Sequence, residues 1–397
     1  MTLSHTTNKK IILMLILFVL PVSPLGIDLY SPSLPALANV FGTTYSVIQL
    51  SMTTFMVGFF IGELLIGTIS DSLGRRKLML IGLAAVCIIS FMTMFSKNIN
   101  TFLILRFFLG LTCVAPATLS KAIPAEVYDN KEITKVSSWI GVSWLSSFLI
   151  GPIAGGYLQY YFNWSAAFFV ISIYSFIMFI LIFLFLPETK INRSPFNIKN
   201  TLKMYKKILT YKPFLGGIFI LGAYLSLQLI FNQFAPYIIQ VRLGYSVIEY
   251  GKIALVFGII VIAASLINTK LVTIFRPEIL IISSIYISIA TAAITILITY
   301  IIGTNLLLFL IPVIILFALT VIMFYSALGK ILKIFPATAG IAAAMMGFLF
   351  KVEGTAVSKI GSLFNMPSAC LFFIIILIVL FTSLIGYYMF KKHNINA

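Results

Sequence analysis

Apolar residues run through this chain in blocks of about twenty, the length that crosses a ~30 Å hydrocarbon layer as a helix. Read against turn signals, the blocks predict twelve helices, over residues 11–38, 46–67, 78–96, 101–124, 134–158, 164–186, 213–239, 246–268, 277–299, 305–328, 337–360 and 367–390. Lys9 and Lys10 ahead of the first block resemble the start of a secretory leader. No small-residue cleavage site follows, and further blocks come at once, so the first helix is expected to be retained. The longest polar stretch, 187–212, is basic, contains Pro187 and Pro195, and separates six blocks from six. The expected organisation is an N-terminal six-helix unit over 1–188, a basic cytoplasmic linker over 189–212, and a second six-helix unit over 213–397.

Composition supports lipid as the main solvent. Of 397 residues, 61% are hydrophobic and 9% charged, with 36 Phe and a mean hydropathy of +1.11. Soluble domains carry about a quarter charged residues, so a soluble enzyme, a disordered chain and a disulfide scaffold are all excluded. The net charge of +17 would suggest nucleic acid, but placing the basic residues removes that reading. With the N-terminus inside, most Lys and Arg fall on the cytoplasmic side: Lys9, Lys10, Arg75, Arg76, Lys77, Lys131, Lys135, the central loop, Lys270, Arg276, Lys330, Lys333, Lys391 and Lys392. That excess sets an N-in, C-in orientation, beside an anionic leaflet. Cys87, Cys113 and Cys370 lie in apolar runs without metal-ligand spacing, and both His lie in polar tails. No metal, no nucleic acid and no histidine chemistry are expected.

The loop after the second block reads Gly67-Thr-Ile-Ser-Asp71-Ser-Leu-Gly74-Arg75-Arg76-Lys77. Gly67 permits close helix approach, Gly74 a tight turn, and Asp71 can meet a helix N-terminus. This segment resembles the loop signature between helices two and three of the major facilitator superfamily. Gly26-Ile-Asp28-Leu-Tyr30-Ser-Pro32-Ser-Leu-Pro35 resembles a segment of its Bcr/CflA drug-resistance branch. Arg106 to Gly110 is similar to the R-x-x-x-G of the fourth helix, and Gly151-Pro152-Ile-Ala-Gly155-Gly156 to the antiporter motif of exporters. Gly216 to Tyr237, with Asn232, resembles the seventh helix. The second-half copy of the loop signature, around Asn268 to Glu278, lacks its Asp and Gly. The resemblance implies an all-α polytopic membrane protein of two six-helix bundles around a central cavity, lined by helices one, four, seven and ten. It also implies alternating access driven by protons.

Charges inside apolar blocks are costly and point to function. Asp28 in the first helix and Arg106 in the fourth are expected to approach each other across the cavity, Asp28 as the proton-linked carboxylate and Arg106 as a cavity residue that orients it or meets an anionic group. The alternative is a static ion pair, or a cap at a break near Pro21 and Pro24. Lys121 follows Arg106 by fifteen residues, about 60° around the helix, so the two are expected to form a basic stripe, unless Lys121 reaches the inner headgroups. Glu63 is expected to pair with Arg75 or Arg76 at an inner gate formed by Gly67, Asp71, Gly74, Arg75 and Arg76. Lys351 and Glu353 lie 200° apart on the eleventh helix and cannot satisfy each other. Glu353 is a second proton-coupling candidate, and Lys351 a cavity candidate. Tyr30, Phe231 and Asn232 are further cavity candidates, and Trp164 fits an interfacial anchor.

No GxSxG, HExxH or paired Asp occurs in the spans, so no enzyme is expected. The expected function is proton-coupled efflux of small organic molecules from the bacterial inner membrane, by a monomer in the lipid bilayer with no cofactor beyond the proton gradient. The alternative is export of an anionic metabolite such as a polycarboxylate siderophore, since basic residues slightly outnumber acidic ones in the spans. A non-transporting receptor ranks lower, because the tails are short.

Overall fold

The computed structural model describes residues 9–190, 206, 208–332, 334–335 and 339–394. Most of the linker, and with it the basic residues Arg193, Lys199 and Lys203, lies outside the described residues. So do the side chains of Gly67 and Asp71.

Among the described residues every regular element is helical. The first span is broken: α1 (Lys9–Val19) and α2 (Val22–Asp28) are followed by a 3-10 turn and α3 (Leu34–Val40). Pro21 causes the break, because it has no N–H to offer the Leu17 carbonyl four residues back. That carbonyl accepts instead from the Ser143 hydroxyl, and the neighbouring Phe18 carbonyl accepts from the Tyr174 hydroxyl. A broken helix survives in lipid where side chains satisfy the freed carbonyls in this way.

Five longer helices complete the first half: α4 (Tyr45–Leu73), α5 (Arg75–Thr93), α6 (Ile99–Val127), α7 (Asn130–Tyr161) and α8 (Ser165–Phe185). The second half holds α9 (Lys212–Pro236), extended by a π-turn over Tyr237–Arg242, then α10 (Val247–Ile274), α11 (Pro277–Ile302), α12 (Leu306–Leu332), α13 (Ala339–Gly361) and α14 (Ala369–Asn394). Eleven helical spans among the described residues are long and apolar enough to cross a membrane. The twelfth expected span is α13, a 23-residue helix that carries Lys351, Glu353 and Lys359.

The chain forms two compact units, Met1–Phe41 with Thr54–Phe196 and Gly42–Thr53 with Asn197–Ala397. The first turns of α4 therefore group with the second unit, a division that no loop boundary in the sequence marks. In that unit the Tyr45 hydroxyl donates to the Gln233 carbonyl at 2.7 Å, and Gln233 Nε2 donates to Ser358 Oγ at 2.7 Å.

Glycines set the closest helix approaches in the first unit. A Cβ on Gly110 of α6 would strike the Phe55 carbonyl of α4, and one on Gly58 would strike the Phe107 carbonyl. One end of this unit is sealed by aromatic rings. Trp164 is 9% exposed and packs edge-on against Phe102 and Phe168. It is a core residue, not the expected interfacial anchor, because three neighbouring rings cover it.

Candidate functional site

The break in the first span positions the acidic candidate. Asp28 is the last residue of α2 and is 1% exposed. Helix α7 reaches it through glycine: a Cβ on Gly151 would lie 2.6 Å from Asp28 Cβ, and one on Gly155 would strike the Leu29 carbonyl. The exporter-like Gly151–Gly156 segment thus forms the bed on which the Asp28 turn rests.

Arg106 closes the other side. Its Nη1 donates to the Gly26 carbonyl at 2.7 Å, in the last turn of α2, where helical carbonyls lack intrahelical partners. A cation there also meets the negative end of the helix dipole. The guanidinium lies 4.1 Å from the Tyr30 ring centroid and 4.6 Å from that of Phe55, a cation–π arrangement that gains strength when desolvated. Arg106 and Tyr30 are both wholly buried. The structure therefore brings Asp28, Tyr30, Arg106, Gly151 and Gly155 together as one assembly within the first unit.

Lys121 does not extend it. Lys121 is exposed, with its Nζ 4.6 Å from the Trp144 ring centroid, whereas Arg106 has no exposed surface. The expected basic stripe is not a common surface, because the helix turns Arg106 into the core and Lys121 out of it.

The gate candidates gather where α4 ends and α5 starts, at the end of the first unit opposite the Trp164 rings. Gly74 adopts φ +96°, a left-handed conformation that favours glycine, and starts α5. The Arg75 N–H donates to Glu188 Oε1 at 2.8 Å, an acid at a helix N-terminus. Arg75 Nε donates to Glu126 Oε1 at 3.0 Å, and its Nη1 donates to Ser70 Oγ. Thr189 donates to the other Glu126 oxygen at 2.6 Å, and Lys190 lies 3.8 Å from Glu126. Arg76 donates to the Phe183 carbonyl at 2.6 Å. Glu63, the expected partner, is half-buried twelve residues before Arg75, on α4; two carboxylates that meet Arg75 are Glu126 and Glu188. Sequence reasoning missed both. Their signal was scarcity: the chain has ten acidic residues, and these two sit at the ends of the fourth and sixth blocks, on the side of Arg75.

In the second unit Glu353 lies against α9 at Gly222, where a Cβ would collide with its carboxylate. Glu353 Oε2 is buried and has no hydrogen-bond partner among the described residues. Lys351 is half-buried, its Nζ 5.5 Å from the Phe350 ring centroid. Phe231 and Asn232 are 4% and 5% exposed, and Phe231 packs on Phe257 at 4.6 Å between centroids. These two belong to the core of the unit instead of an open wall. No cluster of His, Cys, Asp and Glu suited to a metal occurs among the described residues.

Comparison with known proteins fits this arrangement. An uncharacterized MFS-type transporter, YdgK of Bacillus subtilis, is 31% identical over 66% of this chain and 66% of its own length. A bicyclomycin resistance protein homolog of Haemophilus influenzae is 28% identical over 65% of each chain. The multidrug transporter MdfA of Edwardsiella piscicida is 27% identical over 60% of this chain and 58% of its own. The matches thus span 58–66% of the length of these relatives. Among solved structures, a D-xylose-proton symporter superposes with a TM-score of 0.76 at 15% identity, covering 96% of this chain and 97% of its own; at that identity it shows the fold alone. The family model described as Major Facilitator Superfamily matches residues 16–352. With that match across most of its length, this multi-pass, all-helical chain belongs to the Major Facilitator Superfamily, a family of transporters and not of enzymes.

Proposed function

We propose that the chain is a proton-coupled secondary transporter that exports small organic molecules across the bacterial inner membrane by alternating access. The observation that carries this reading is Asp28, an acid buried at a helix break within a membrane-spanning segment. Such a placement is costly unless the group has a partner or a task. Proton uptake at Asp28 removes its charge and changes its attraction to the Arg106 side of the α2 turn. Because α2 is a separate short piece, that turn can shift without moving α1. Glu353, packed on Gly222, is the second proton-coupling candidate, and Lys351 a second-unit candidate for contact with substrate. The Arg75–Glu126–Glu188 network, with Asp71, Arg76 and Glu63 nearby in the sequence, serves as the inner gate. The names of the bicyclomycin resistance homolog and of MdfA support a drug-like substrate, and the loop charges support cytoplasmic termini. The protein acts as a monomer and takes its driving force from the proton gradient, with no bound cofactor.

Proteoliposomes holding the protein and an internal pH dye test this directly. Addition of a lipophilic cation or a neutral drug is expected to move protons, and Asp28→Asn is expected to lower that flux at least tenfold. Unchanged flux in the Asn variant would end the Asp28 assignment. A second reading, export of a polycarboxylate, is favoured by one observation: Lys121 is exposed on α6, outside the core that encloses Arg106. Proton flux with citrate-type polycarboxylates alone would decide for it.

A further inference from the structure

The proline break that places Asp28 also opens a cleft elsewhere in the first unit, and none of the proton, substrate or gate candidates lines it. Its volume is about 380 Å³, within the range of small-molecule sites. The walls come from α1 and α2 around the break (Leu17, Pro21), from one face of α7 (Trp139, Val142, Ser147) and from Tyr174 of α8. No charged residue lines it. The hydroxyls of Ser143 and Tyr174 donate to the Leu17 carbonyl freed by Pro21 and to the neighbouring Phe18 carbonyl. Ser147 is different. It is 1% exposed, and its hydroxyl has no hydrogen-bond partner among the described residues. An unpaired buried hydroxyl is unfavourable; it lies just under the cleft wall, so a partner in the cleft relieves it by displacing the side chains that cover it. At the mouth, Trp139 and Val142 are each 50% exposed, so a molecule dissolved in the membrane region can reach the cleft.

We propose that this cleft is a binding site for an uncharged lipophilic small molecule with one hydrogen-bonding group, which Ser147 receives. The absence of charged lining excludes ions as the preferred class. The buried hydroxyl disfavours a bare acyl chain, which would leave it unpaired. The site differs in place and chemistry from the Asp28 assembly and needs no gradient, so its test does not depend on transport.

Trp139 supplies the reporter. In the full-length protein reconstituted in lipid nanodiscs, Trp144→Phe and Trp164→Phe leave Trp139 as the single tryptophan, since the chain has three. The probe is 8-bromo-1-octanol, with 1-bromooctane and a bilayer of brominated phosphatidylcholine as the other arms. Saturable quenching by the alcohol is expected, weakened about five- to tenfold by Ser147→Ala, the size of one hydrogen bond. Val142→Phe, at an exposed wall, is expected to remove saturation while circular dichroism stays unchanged. Equal saturable quenching by the bromoalkane, saturation by the brominated lipid, or no change in Ser147→Ala would each overturn the proposal.

Discussion

At Gly110 and Gly155 the difference between a hydrogen and a methyl decides whether two helices can touch. Each faces a backbone carbonyl that cannot swing aside as a side chain would. Gly110→Ala is therefore expected to lower the melting temperature in detergent markedly, with a cost of about 1–3 kcal/mol from overpacking. Gly141, where a Cβ meets nothing within 4 Å, provides the control, and Gly141→Ala should leave the melting temperature unchanged. A second residue-scale expectation concerns pH. The Lys9 ammonium, 2.7 Å from Glu132 Oε2, and the Asp129 N–H together hold the Glu132 carboxyl below its usual 4.5. A depressed carboxylate contributes its stability above the unfolded value and loses it as pH falls through the folded one. Hydrogen-exchange protection factors at the start of α7 should therefore fall below about pH 4.5, and Glu132→Gln should flatten that response. The contact is exposed, so the effect is local.

Among elements, the two units fasten corresponding helix ends with opposite charge. In the first, Arg75 at the start of α5 holds Glu126 near the end of α6. In the second, Glu278 at the start of α11 holds Lys330 near the end of α12. The sequence reading recorded the missing Asp and Gly of the second copy, but it did not find this pair, because reversing both charges leaves no motif to match. Asn268, in the same stretch, accepts from Ser326 at 2.9 Å. A double-mutant cycle on Arg75→Gln and Glu126→Gln is expected to give a coupling of about 1–3 kcal/mol in unfolding free energy. The exchanged pair Arg75→Glu with Glu126→Arg should recover only part of it, since Glu188 and Ser70 also bind Arg75. The helix positions were legible from hydrophobic blocks alone. The break in the first span was legible from Pro21 and Pro24. What its repair requires was not, because Ser143 and Tyr174 lie over a hundred residues away and carry no signal of their own.

For the whole molecule, the block pattern foretells nearly every membrane-length helix to within a few residues, because lipid sets span length and each helix satisfies its own backbone. It says less about grouping. Hydropathy assigns residues 46–53 to the second block, yet they cluster with the second unit, where Tyr45 and Gln49 have partners far along the chain. The site was half legible: Tyr30 and Arg106 do meet, beside the α2 turn that ends in Asp28, but as a buried assembly and not as an open wall. Burial is set by packing from α7 and α8, which no local pattern encodes. Tags at the two termini are expected to be reached only after the inner face of right-side-out vesicles is opened; access at either terminus in sealed vesicles would reverse the orientation read from the loop charges.

The opposed fastenings also make the halves chemically unequal. An amine-acylating reagent neutralises lysine but leaves guanidinium untouched. Acylation at Lys330 would release the α11–α12 ends while Arg75 continued to hold α5 to α6. Mild amine acylation of the purified protein would thus remove the α11–α12 pairing and leave the Arg75–Glu126 contact in place.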